Sequence, residues 1–101
     1  MVATTGEPWT LVYDPRVRKY LEKIRDRAVI RRLEGAAARL TRFPRSGKSL
    51  DHYPGVRSER VGTSGGEYRI LYQLDEERRE VFVILIAPRD EVYELLRRRE
   101  R

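Results

Sequence analysis

Cysteine is absent from this 101-residue chain. Its absence excludes a disulfide scaffold, a thiolate zinc cluster and a cysteine nucleophile, and it points to a reducing cytoplasm. Histidine occurs once, as His52, so no set of histidine ligands can form, and neither a metal nor a cofactor is expected. There is no apolar run of about 18 residues, and Met1 to Pro8 lacks the basic start and hydrophobic centre of a signal peptide. A protein that neither spans a membrane nor leaves the cell by that route is expected. Lysine is also scarce, limited to Lys19, Lys23 and Lys48.

Arginine therefore supplies nearly all the positive charge. Lys and Arg total 22 against 16 Asp and Glu, a formal charge of +6. That balance suits a polyanionic or acidic partner, and a planar guanidinium suits bidentate contact with phosphate or carboxylate. The surplus lies in residues 1–50, with twelve basic against five acidic groups, whereas residues 51–101 carry ten against eleven. An arginine placed for function in the second half is thus not part of a uniformly basic background. Adaptation to heat or codon bias explains the arginine excess equally well.

The length and the 40% hydrophobic fraction fit one small globular domain over residues 1–101. Trp9, Leu11 and Tyr13 alternate as in a half-buried strand. Asp14-Pro15 then starts a helix, with Val17, Tyr20, Leu21, Ile24 and Ala28 as its apolar stripe. The phase shifts near Asp26, a second N-cap, and Ile30, Leu33, Ala37 and Leu40 form a second stripe that Pro44 is expected to end. Arg45 to Gly55 is rich in turn formers and reads as a loop.

Val56 to Thr63 reads as a strand, Thr63-Ser64-Gly65-Gly66 as a hairpin turn, and Glu67 to Leu74 as a strand with Tyr68, Ile70, Tyr72 and Leu74 facing the helices. After the charged turn Asp75 to Arg79, Val81 to Ala87 is apolar on both faces and therefore central or well covered. On its own parity Arg89 continues the row Val83, Leu85, Ala87. Acidic residues early and arginines late from Asp90 onward suit a short terminal helix. The expected fold is α/β in the α+β sense: an antiparallel sheet of about four strands on an N-terminal helical hairpin, in the order β-α-α-β-β-β-α.

Tyr68-Arg69-Ile70-Leu71-Tyr72, with Arg60-Val61-Gly62 before it and Arg89 followed by Tyr93 beyond the apolar strand, resembles the RelE/ParE superfamily of bacterial and archaeal toxin–antitoxin toxins. The resemblance extends over nearly the whole chain. It implies a cytoplasmic toxin held by a cognate antitoxin and, in the RelE branch, a ribosome-dependent endoribonuclease that cleaves mRNA in the A site. The catalytic positions it implies are Arg60, Arg69, Arg89 and Tyr93, with Lys48, Arg57 and Arg45 as RNA contacts. The basic residue usual two places before Arg60 is Ser58 here, followed by Glu59. The alternatives are a ParE-like inhibitor of DNA gyrase with no catalytic residues, and an inactive relative that acts only in its antitoxin complex.

The chemistry is consistent with these residue types. Attack of a ribose 2′-hydroxyl on the adjacent phosphate needs in-line positioning and stabilisation of the phosphorane charge, which arginines supply. Positive charge around Tyr93 favours its phenolate, so that it takes a proton, or else its ring stacks on a base. The competing explanations are structural: an ion pair of Arg69 with Glu67 or Glu59, one of Arg89 with Glu91, and an apolar contact of Tyr93 with the sheet.

Overall fold

The computed structural model describes residues 7–99. The chain runs β1 (Thr10–Tyr13), α1 (Pro15–Lys23), α2 (Arg27–Arg39), β2 (Lys48–Ser49), β3 (Val56–Thr63), β4 (Gly66–Asp75), β5 (Glu80–Pro88) and α3 (Val92–Arg99). No helix among the described residues is long and apolar enough to cross a membrane.

The α+β architecture is as expected, but the sheet has five strands in the order β1-β5-β4-β3-β2. Two details correct the sequence reading. β1 pairs parallel with β5, because the helical hairpin returns the chain to the far side of the sheet before the antiparallel run begins. Lys48 and Ser49, read as loop, form a two-residue edge strand against Ser58 and Arg57 of β3. So short a strand carries no periodic signal.

Local chemistry sets the helix starts. The Asp14 carboxylate caps α1 by accepting from the Arg16 main-chain N–H at 2.8 Å and from its guanidinium at 3.0 and 2.8 Å. These bonds hold its carboxyl down at about 2. Asp26 caps α2 through Ala28 and Val29. Ala28 therefore belongs to the first turn of α2 and is exposed, rather than ending the α1 stripe. α2 stops at Arg39, and a turn through Arg42 precedes Pro44.

One face of the sheet carries the larger core. Val17, Leu21, Val29, Leu33, Ala37 and Leu40 of the helical hairpin meet Val61, Ile70, Tyr72, Val81, Val83 and Ile86. Each fully buried aliphatic side chain there stabilises the fold by about 1.5–3 kcal/mol. The opposite face carries a smaller core, in which Val56, Leu71, Leu85 and Ala87 are covered by Val92 and Leu96 of α3.

The two cores share β5 through a bulge. Leu71 lies opposite Leu85 and Tyr72 opposite Val83, which leaves Ile84 as an extra residue. Val81 and Val83 consequently face the helical hairpin, while Leu85 and Ala87 face α3. The continuous parity from Val83 through Arg89 is thus broken between Val83 and Leu85. A strand apolar at every position gives the alternation rule nothing on which to register the extra residue.

Candidate nucleic-acid interface

Strand register decides which polar side chains meet. β3 and β4 set Ser58 opposite Leu71, Arg60 opposite Arg69 and Gly62 opposite Glu67, while Ala87 of β5 flanks Arg69 on its other side. By period-two alternation Ser58, Arg60, Glu67 and Arg69 share the face away from the helical hairpin.

Two guanidinium groups in directly opposed positions repel each other. Glu67 bridges them: its Oε2 accepts from Arg69 Nε at 3.0 Å and its Oε1 from Arg60 Nη2 at 3.3 Å. Burial pushes the Glu67 carboxyl up, but the bonds from Arg69 and Arg60 together outweigh it and hold the group below the usual carboxylate range.

The arginines are not equivalent. The Arg69 side chain is 21% exposed against 72% for Arg60, so Arg69 acts in the less hydrated setting. Its Nη1 donates to Tyr93 Oη at 3.4 Å and to Ser58 Oγ at 3.5 Å, both long bonds. Ser58, buried beneath it, leaves the guanidinium room that a larger basic side chain would occupy.

Tyr93 reaches this point because its neighbour Val92, with Leu96 one turn on, anchors α3 in the smaller core. Tyr93 packs against the edge of that core and turns its hydroxyl toward Arg69. A groove of about 480 Å³ opens over these groups, lined among others by Lys48, Ser49, Glu59, Arg60, Arg69 and Tyr93.

The wall carrying Lys48 is held from inside the protein. The fully buried Tyr72 donates its hydroxyl to Pro44 O at 2.8 Å and accepts from Gly47 N–H at 2.9 Å. Gly47 has no room for a side chain: a Cβ there would lie 2.7 Å from the Tyr72 hydroxyl and 2.9 Å from Ser58 O. Tyr72→Phe strands one buried donor and one acceptor, so thermal or urea unfolding is expected to show a loss of about 1–3 kcal/mol, with faster amide exchange at Gly47 and Lys48.

The structure brings Arg60, Arg69, Tyr93 and Lys48 to one groove. Arg89 stands at the end of β5, where its main-chain N–H donates to Glu67 O at 2.9 Å while its exposed side chain pairs with Asp90 at 3.6 Å. It is not part of the groove lining. Arg57 braces the wall, donating to Gly47 O at 2.7 Å and to Arg45 O at 3.3 Å. Arg45 is ion-paired with Glu76 and lies over the Trp9 ring, away from the groove.

Ser58 and Glu67 enter the site as partners that the sequence reading treats only as a substitution and a competing ion pair. Two-residue spacing on β4 puts Glu67 beside Arg69, but the bridge to Arg60 requires the register. His52 sits exposed in the loop with a positive φ of 64°. Among the described residues no cluster of His, Cys, Asp or Glu is placed to hold a metal ion.

A sequence profile of the ParE toxins of type II toxin–antitoxin systems, parDE, matches residues 11–93. The chain belongs to the RelE/ParE superfamily of type II toxins. Among relatives of this RelE/ParE toxin is Toxin RelG of Mycobacterium tuberculosis (strain ATCC 25618 / H37Rv), 32% identical over 90 residues that span 85% of this chain and 97% of RelG. The RelBE2 toxin–antitoxin complex of the same organism contains a chain 30% identical, with a TM-score of 0.71, over 82% of this toxin and 100% of that chain. A chain of the intact Escherichia coli RelBE toxin–antitoxin complex is 28% identical, with a TM-score of 0.68, over 79% of this toxin and 95% of that chain.

Proposed function

We propose that this toxin is a ribosome-dependent endoribonuclease that cleaves mRNA in the A site, acts in the cytoplasm and is restrained by a cognate antitoxin. The observation that carries the reading is the convergence of Arg69, Tyr93 and Arg60 on one groove, with Arg69 Nη1 3.4 Å from the Tyr93 hydroxyl. A phosphodiester seated on Arg69 has a phenol beside it and a second guanidinium across the strand pair. The relatives solved together with antitoxins support the antitoxin partner.

In this reading the ribose 2′-oxygen attacks phosphorus, the O2′–P bond forms and the P–O5′ bond breaks. The products are a 2′,3′-cyclic phosphate and a 5′-hydroxyl. Arg69 and Arg60 stabilise the charge on the phosphorane oxygens. Tyr93 relays the proton, its oxygen accepting that of the 2′-hydroxyl as its own passes to solvent, and the departing 5′-oxygen is protonated from solvent. Lys48 on the groove wall, with the exposed Arg89 farther out, contacts flanking phosphates.

A site with no histidine or carboxylic acid in the proton-transfer role relies on its host to hold the RNA in line. That requirement fits an enzyme that works only on the ribosome. The test is to express the toxin under tight control and map mRNA 5′ ends: new ends at codon-spaced positions are expected, and growth arrest with intact messages would refute the proposal.

The second reading, a gyrase inhibitor, is favoured by the match to the ParE profile. DNA breaks and a supercoiling defect with intact mRNA would select it.

A further inference from the structure

We propose that Glu67 is a built-in competitor for the substrate phosphate: it occupies the anion position between Arg60 and Arg69 and yields it only to a phosphodiester presented in the groove. The inference rests on the reading above in one respect, that the groove takes a phosphodiester, and it does not depend on cleavage.

Three observations carry it. First, a carboxylate and a phosphate use the same donors in the same geometry on a guanidinium. The Glu67 oxygens take Arg69 Nε at 3.0 Å and Arg60 Nη2 at 3.3 Å, and with Nε engaged no bidentate contact of a phosphate through Nε and a terminal nitrogen can form.

Second, the bridge is partly shielded, with the Glu67 and Arg69 side chains 24% and 21% exposed. A phosphate arriving beside an anionic Glu67 meets repulsion that solvent does not fully screen.

Third, Glu67 has somewhere to go. Its partner across the strand pair is Gly62, and a Cβ built there meets nothing within 4 Å. A displaced carboxylate can therefore swing toward the end of the hairpin without a clash.

The functional consequence is selectivity. Free RNA, whose phosphates arrive one at a time and unconstrained, competes poorly with a tethered carboxylate. RNA already held in line competes at high local concentration and displaces it.

The test uses the full-length toxin, Glu67→Gln and Glu67→Ala, titrated with a 2′-O-methyl trinucleotide that carries phosphodiesters but lacks the attacking hydroxyl. Binding is followed through the NMR signals of the arginine Nε–H groups, and ribosomal mRNA cleavage is assayed separately. Both variants are expected to bind at least about tenfold more tightly than the parent, because each removes an anion beside the site. Weaker binding by Glu67→Ala would make Glu67 a positioning residue for the arginines and overturn the inference. Unchanged affinity in both variants, or no binding by any of the three proteins, would overturn it as well. Tighter binding by both variants without any mRNA cleavage by the parent would uphold it and remove the nuclease reading alone.

Discussion

Arg69→Ala is expected to lower mRNA cleavage on ribosomes by about 10²–10³-fold, the range seen when one preorganised donor to a developing oxyanion is removed. The side chain is positioned by three separate contacts, with Glu67, Ser58 and Tyr93. It is also the less exposed of the two opposed arginines, where charge stabilisation is worth most. Arg60→Ala is expected to cost less, since its guanidinium is largely hydrated and, among the described residues, held only through Glu67. Melting curves of both variants next to the parent separate catalysis from folding: the core beneath the site is apolar and does not use these arginines. Equal loss in the two variants would contradict the ranking, and full activity of Arg69→Ala would take Arg69 out of the site.

Tyr93→Phe gives the second large effect and divides two roles that the geometry permits. The ring packs at the edge of the smaller core and the hydroxyl faces Arg69, so phenylalanine keeps the packing and any stacking surface while removing the ionisable oxygen. If Tyr93 takes the 2′-hydroxyl proton, cleavage falls by about 10²–10⁴-fold with substrate affinity unchanged. If the ring only stacks on a base, Tyr93→Phe retains activity and Tyr93→Ala loses it, chiefly through weaker binding worth about 1–3 kcal/mol. Single-turnover cleavage on programmed ribosomes, with binding measured separately, distinguishes the two.

The parts of the fold legible in the sequence are those written in local chemistry. Asp14-Pro15 and Asp26 mark helix starts because a carboxylate followed by free N–H groups is a local arrangement. β4 follows from alternation, and β3, poor in strand formers, from its place before the Ser64-Gly65 turn that joins it to β4. The parallel pairing of β1 with β5 and the two-residue β2 depend on contacts distant in sequence, which no local pattern carries.

The candidate site divides in the same way. Arg60, Arg69 and Tyr93 were accessible because a family pattern places them, and the opposed register of Arg60 and Arg69 sets them face to face. The bridging role of Glu67 was not, because an acid two residues from an arginine on a strand is ordinary until the opposite strand supplies a second arginine. Arg57 and Arg45 show the converse: basic residues near the groove in sequence whose side chains are taken up by main-chain oxygens and by Glu76.

The extra residue in β5 makes this strand two half-strands with different obligations. Upstream of Ile84, Val81 and Val83 answer to the helical hairpin; downstream, Leu85 and Ala87 answer to α3 and to the floor beside Arg69. Sequence drift at Val81, Val83 and Ile86 is therefore registered as loss of stability, and drift at Leu85 and Ala87 as misaim of Tyr93. Deletion of Ile84 would touch neither obligation: Val83 and Leu85 would become neighbours that alternate across the sheet as Tyr72 and Leu71 already do, so each residue would keep its face and only the local bend of the bulge would be lost.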